Sequence, residues 1–177
     1  MDKYYSSKYQ SMLIDMHKKR PWGGAVDGSI ERINTYARLS EVKSILDYGS
    51  GYGAFKDKIE ATYTDVVYSI HEYEPGQPEL AGDPPICDAS ICIDVMEHIE
   101  PKLVDNVIEH IHNKTNKWTF QKICLRAATG NFPGTKQNLH LIVMPAAWWV
   151  KKLSPYWEMI DLTATTGHLT FLGLKKS

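Results

Sequence analysis

Short apolar segments alternate with amphipathic helical patterns along most of this chain, and that alternation constrains its fold more than any other feature. Residues 44–48, 66–72 and 89–94 read as strands. A helix is expected to begin near Gly53 and to run through Phe55 and Ile59. Pro101 suits a first helical position, where the backbone donor it lacks would go unpaired anyway. Leu103, Val104, Val107, Ile108 and Ile111 then recur at helical spacing on one face. Residues 118–127 alternate as a strand, 145–153 read as a helix, and 158–163 with 168–174 as a closing antiparallel pair. Consecutive parallel strands need a crossover between them, so this order builds a parallel sheet from βαβ units. The expected fold class is α/β: a doubly wound, mostly parallel sheet with a C-terminal antiparallel strand pair.

A chain of 177 residues is long enough for one well-buried core and short for two. One domain over 1–177 is expected, with 1–40 as an N-terminal helical cap on a core of 41–177. Twenty basic against 21 acidic residues leave a net charge of -1, so no whole-molecule field draws in nucleic acid or an anionic membrane. The basic runs Lys18-Lys19-Arg20 and Lys175-Lys176 are short. Cys87, Cys92 and Cys124 lack paired C-x-x-C spacing, which argues against a disulfide framework and a structural zinc, and no metal site is assigned. A reducing, cytoplasmic setting is expected. No apolar run approaches a membrane span, so no membrane partner is expected.

The stretch ILDYGSGYGAF, at 45–55, runs from a strand through an acid into glycines spaced two apart. Gly49, Gly51 and Ala54 satisfy the G-x-G-x-x-G/A dinucleotide fingerprint, with Glu72 and Glu74 near the usual downstream distance. Asp47 argues against that ligand. A pyrophosphate on a helix N-terminus is anionic, and a neighbouring carboxylate repels it. S-adenosylmethionine (SAM) reverses the sign, since it carries an ammonium and a sulfonium and no phosphate. An acid beside the turn binds its amino-acid end through charge-assisted hydrogen bonds worth roughly 1.5–3 kcal/mol each.

LDYGSGYG resembles the D-x-G-x-G-x-G motif of class I SAM-dependent methyltransferases, and DVMEHI, at 94–99, is similar to their D-V-L-E-H-I segment after the fourth strand. HLIVMPAAWW, at 140–149, resembles a stretch of small bacterial and phage methyltransferases, of the kind called methyltransferase type 11. The resemblance implies a Rossmann-like fold, SAM as cofactor and methyl transfer by in-line displacement to a small molecule or small exposed moiety. It implies that Asp47, Gly49, Gly51 and Gly53 surround the methionine moiety and that Asp94 and Met96 join the cofactor site. The acid ending the second strand would bind the ribose. Glu74, followed by the turn Pro75-Gly76, is preferred over Glu72.

The chain departs from that family in segment 75–87, which is too short for a helix, a third strand and another helix, and which carries Pro75, Pro78, Pro84 and Pro85. Strand three is expected to be reduced or absent. Leu80, Pro84, Pro85 and Ile86 are then expected to form an apolar wall for the adenine.

His98 and His140 are the candidate catalytic residues. The plainer alternatives are that His98 is an exposed helix-turn residue, that Glu97 caps local backbone donors, and that His140 bonds a backbone carbonyl. Tyr4, Tyr5, Tyr9 and Trp22 form either a packing stripe or a set of aromatic faces toward a cation. Asp83-Pro84-Pro85-Ile86 precedes its strand and ends in isoleucine, unlike the loop of amino-adenine methyltransferases, and no cysteine follows a proline. A DNA acceptor is therefore not expected. RNA or protein acceptors stay open beside a small molecule, as do a dinucleotide enzyme and a SAM-binding protein without turnover.

Overall fold

A computed structural model describes residues 3–19, 23, 24, 26 and 28–177. Arg20 and Trp22, named above, lie outside the described residues. Two helices come first, α1 (Ser7–Lys19) and α2 (Ile30–Leu39). Next come β1 (Ser44–Tyr48), α3 (Ala54–Thr62), β2 (Ser69–Tyr73), β3 (Cys87–Ile93), α4 (Val104–Asn113) and β4 (Thr115–Cys124). The chain closes with α5 (Ala146–Leu153), β5 (Trp157–Ala164) and β6 (His168–Lys175).

The six strands form one sheet in the order β2-β1-β3-β4-β6-β5. β1 to β4 pair in parallel, and β6 pairs antiparallel with both β4 and β5. No helix or strand lies between β2 and β3; only a short 3₁₀ turn at Pro78–Leu80 interrupts the connection. The third strand of the family pattern is absent, in line with the expectation that it is reduced or absent, and β2 is left as the sheet edge.

Alternation along β1 puts successive side chains on opposite faces. Ile45 packs with Ile33, Phe55 and Ile59 of α2 and α3, while Leu46 packs with Val104, Val107, Ile108 and Ile111 of α4. Those four residues of α4 sit at helical spacing, and Pro101 opens the 3₁₀ turn Pro101–Leu103 that leads into the helix. Each fully buried side chain of this kind contributes about 1.5–3 kcal/mol. A third cluster joins Tyr9 and Met16 of α1 to Phe132 and Leu139 of the segment after β4.

The chain moves from β1 to β2 in one direction and returns across β1 to β3 in the other. Ligands of doubly wound sheets bind at the carboxyl ends of the strands where that direction reverses. The reversal lies between β1 and β3. Among the described residues no helix is long and apolar enough to cross a membrane.

Candidate functional site

A cavity of about 270 Å³ opens at this reversal. The sheet side contributes Asp47 near the end of β1 with Gly49 and Gly51 after it, Glu74 and Pro75 after β2, and Asp94, Val95 and His98 after β3. The amino-terminal segment contributes Tyr4, Tyr5, Tyr9, Leu13, Met16 and His17. Tyr9, Leu13, Met16 and His17 recur at the spacing of one helix face, which is the sequence signal that α1 turns toward a site. His17 had not been singled out in the sequence.

The glycine turn is shaped by steric exclusion. Gly49 has φ +83°, and a Cβ there would lie 2.4 Å from Cγ2 of Val95. Gly51 also takes a positive φ, and its N–H donates to Oε2 of Glu74 at 3.1 Å. The other Glu74 oxygen accepts from the N–H of Gly76 at 2.8 Å and lies 3.6 Å from Nε2 of His17. Glu74 thus ties the turn after β2 to the turn after β1 and to α1. Glu72, paired with Asp47 across β1 and β2, is not on the cavity lining, and its Oε1 would lie 2.7 Å from a Cβ on Gly53. Gly53 therefore borders Glu72 and is not on the cavity lining.

Asp47 is almost wholly buried. That burial, with the carboxylates of Glu72 and Glu74 nearby, pushes its carboxyl up to about 8. Asp94 has φ +54°, an uncommon conformation for a residue with a side chain and one often found at functional sites. Its Oδ2 accepts from Nζ of Lys122 at 3.1 Å, and its Oδ1 is buried without a hydrogen-bond partner among the described residues.

His98 lines the cavity with its Nδ1 2.9 Å from the carbonyl oxygen of Leu139. A carbonyl only accepts, so Nδ1 carries the proton and Nε2 keeps its lone pair. Burial, with His140 nearby, lowers the His98 imidazole to about 4. The His140 ring stands behind it at 4.7 Å between centroids, outside the cavity lining, and its Nδ1 donates to the carbonyl oxygen of Arg126 at 2.5 Å. Glu97 is buried. Its Oε1 accepts from the N–H of Cys124 at the end of β4, at 3.1 Å.

Beside Gly53, two further sequence expectations are corrected. Pro85 and Ile86 lie at the amino end of β3, exposed and away from the cavity, and Pro84 beside them is buried there. A parallel successor to β2 must start at the opposite end of the sheet, so the chain has left the cavity well before residue 84. Leu80 is likewise absent from the lining. Met96 is fully buried against α4 and the sheet, because the short turn at Met96–His98 points it inward. In the segment after β4, Phe132 and Leu139 are core residues, and the side chain of Asn138 bonds Ala128 N–H, Ala128 C=O and Gly130 C=O.

No family model matches the chain, and no curated protein matches it. Solved structures do. The chain is similar to the 1,6-didemethyltoxoflavin-N1-methyltransferase of Burkholderia thailandensis, solved with 1,6-didemethyltoxoflavin and S-adenosylhomocysteine, at TM-score 0.62 and 13% identity over 100% of this chain and 94% of that one. It is also similar to the magnesium protoporphyrin IX methyltransferase of Synechocystis PCC 6803, solved with bound SAH, at TM-score 0.52 and 12% identity over 84% and 83%. TehB from Haemophilus influenzae matches at TM-score 0.60 and 11% identity over 82% of this chain and 62% of that one. The Rossmann-like fold is shared. At these identities the likeness speaks for the fold alone.

Proposed function

We propose that this chain is a SAM-dependent methyltransferase of the small bacterial or phage type, akin to methyltransferase type 11, acting on a small molecule or a small exposed moiety. Its residues 1–40 would serve as a helical cap over the 41–177 core, in a cytoplasmic setting in which Cys87, Cys92 and Cys124 stay free. The observation that carries the reading is Asp47, a buried carboxyl at the strand-end turn with two further carboxylates near it. Such a site opposes a pyrophosphate and favours an ammonium or sulfonium. The solved structures of similar fold that contain S-adenosylhomocysteine support the same ligand class.

The residues present fit SAM. Asp47 would accept from its ammonium, Gly49 and Gly51 leave the backbone open to it, and Glu74 is placed for vicinal hydroxyls of the ribose. Asp94 and Val95 complete the wall after β3. When bound, SAM supplies an electrophilic methyl group on sulfur. The chain's own contribution is to orient the acceptor and exclude water, and orientation alone is worth roughly 7–11 kcal/mol in favourable cases. His98 lines the cavity and its Nδ1–H is taken by Leu139, so its Nε2 would hold or receive an acceptor proton, and His140 would support its ring from behind. The enclosure of the cavity by α1 favours a small acceptor over RNA or protein.

Calorimetric titration tests the cofactor. SAM is expected to bind in the micromolar range and NAD not to bind, and the reverse result ends the reading. Release of S-adenosylhomocysteine with pooled metabolites, compared with RNA and protein pools, tests the acceptor class. Binding without release in any pool would leave a SAM-binding protein.

A further inference from the structure

Three side chains converge at a point that the cofactor reading does not use. We propose that Glu97, His98 and His140 form a binding site for a divalent transition-series cation at the carboxyl end of β3, on the cavity wall that His98 lines. Their ligand atoms all lie within 4.8 Å of one another. Three donors each about 2.1 Å from one cation lie about 3.4–3.6 Å apart in tetrahedral or trigonal geometry, so loading needs a contraction of up to about 1.4 Å.

The orientation of each group is set by the protein. Both imidazoles donate Nδ1–H to backbone carbonyls, His98 to Leu139 and His140 to Arg126, which leaves both Nε2 lone pairs available. This is the arrangement that fixes the tautomer and the ring plane of metal-binding histidines. The Glu97 side chain is 0% exposed, and its Oε2 finds no hydrogen-bond partner among the described residues. A buried carboxylate oxygen without a partner is costly, and a cation would satisfy it. Proton sharing within the cluster does not replace the cation, because His140 Nε2 is 4.0 Å from Glu97 Oε1, too far for a hydrogen bond.

Two imidazoles and one carboxylate suit Mn²⁺, Fe²⁺, Co²⁺ or Zn²⁺ and leave coordination positions open. His98 places one edge of the site on the cavity, so with the cation bound the His98 Nε2 lone pair would be taken and the cation, in place of His98, would face the acceptor. Only this last consequence rests on the methyltransferase reading.

The test is a titration of the chelator-treated full chain with CoCl₂, followed by visible absorption and by calorimetry. One Co²⁺ per chain is expected, with affinity at least about tenfold weaker in His140→Ala and Glu97→Gln and within about twofold in the control His71→Ala. Circular dichroism checks folding. Should Glu97→Gln unfold, His140→Ala carries the test alone, since that ring lies at the edge of the core with 13% exposure. No Co²⁺ binding by the wild type, or equal binding by His140→Ala, overturns the site. SAM titration of the same preparations reads the cofactor separately, so either reading can fail without the other.

Discussion

The phenol of Tyr9 donates to the carbonyl oxygen of His98 at 2.6 Å, fastening α1 to the turn that follows β3. Burial holds the Tyr9 hydroxyl well above its ordinary range, so it remains a donor throughout the physiological range. Neighbouring ties act the same way. Glu100 accepts from the N–H and hydroxyl of Ser6, and the side-chain amide of Gln10 donates to the carbonyl of Pro75. The helix that encloses the cavity is therefore held by polar contacts to the strand-end turns as well as by the apolar contacts of Met16.

Tyr9→Phe keeps the ring and its edge contact with Phe132 and removes one hydrogen bond. The expected cost is about 0.5–1.5 kcal/mol in denaturant unfolding, with faster amide exchange across residues 7–19. Unchanged exchange there would mean that Ser6 and Glu100 alone hold the helix.

Asp47 carries a pH dependence whose sign is fixed by its raised pKa. The unfolded carboxyl titrates near its ordinary value of about 3.9, whereas the folded one titrates at about 8. Between those values unfolding releases a proton, so this group's contribution to stability falls as pH rises and is lost above the folded value. Asp47→Asn should remove up to about 1.4 kcal/mol per pH unit of slope in that window, measured by unfolding at pH 5, 6.5 and 8. It should also weaken SAM by about 1.5–3 kcal/mol. Because an ammonium favours the carboxylate, SAM binding to the wild type near pH 6.5 should release a proton, seen as a buffer-dependent heat that Asp47→Asn lacks.

Glu74 and Glu72 provide a paired comparison. Glu74→Gln should cost SAM affinity by about 1.5–3 kcal/mol, while Glu72→Gln, on the Gly53 side, should change it by less than about 0.5 kcal/mol. The opposite order in titration calorimetry would move the ribose contact off the cavity described above.

Gly49 is excluded from bearing a side chain for two separable reasons. Gly49→Ala adds the clash with Val95 and a left-handed backbone that costs roughly 1–2 kcal/mol. Adding Val95→Ala should recover the clash and leave the backbone cost. A double variant no more stable than Gly49→Ala in denaturant unfolding would show that the clash relaxes by itself.

How legible each strand was did not follow its number of partners: β1, β6 and the edge strand β5 fall on or within one residue of the expected ranges, whereas β4, with partners on both sides, lies three residues upstream. β1 falls on the expected residues because its alternation faces two helical layers. β2 starts later than its apolar run, at Ser69, because it is an edge strand paired only with β1, and β1 begins at Ser44 opposite it. β4 ends at Cys124 because its partner β6 begins there, at His168. Asp47, Glu74 and Asp94 were readable since strand-end residues inherit their place from the sheet. Pro85, Ile86 and Met96 were misplaced because nearness along the chain says nothing about which end of a sheet, or which side of a turn, a residue occupies. The meeting of Glu97 and His98 with His140 depends on how the segment after β4 folds back, which no local periodicity records.

That segment yields the last prediction. Asn138 pins it through three backbone groups, and Leu139 beside it contributes to the cluster under α1 and accepts from His98 through its carbonyl. Asn138→Ala leaves those groups to water and frees the segment to move away from His98, without touching Asp47, Gly49, Gly51 or Glu74. Under the proposed function, turnover should fall by about tenfold or more, on the order of 1.4 kcal/mol in barrier, while SAM affinity stays within about twofold. Crystallographic or exchange measurements should show 129–138 loosened. If turnover is kept while that segment loosens, the acceptor lies elsewhere along the cavity, on the side of Tyr4 and Tyr5.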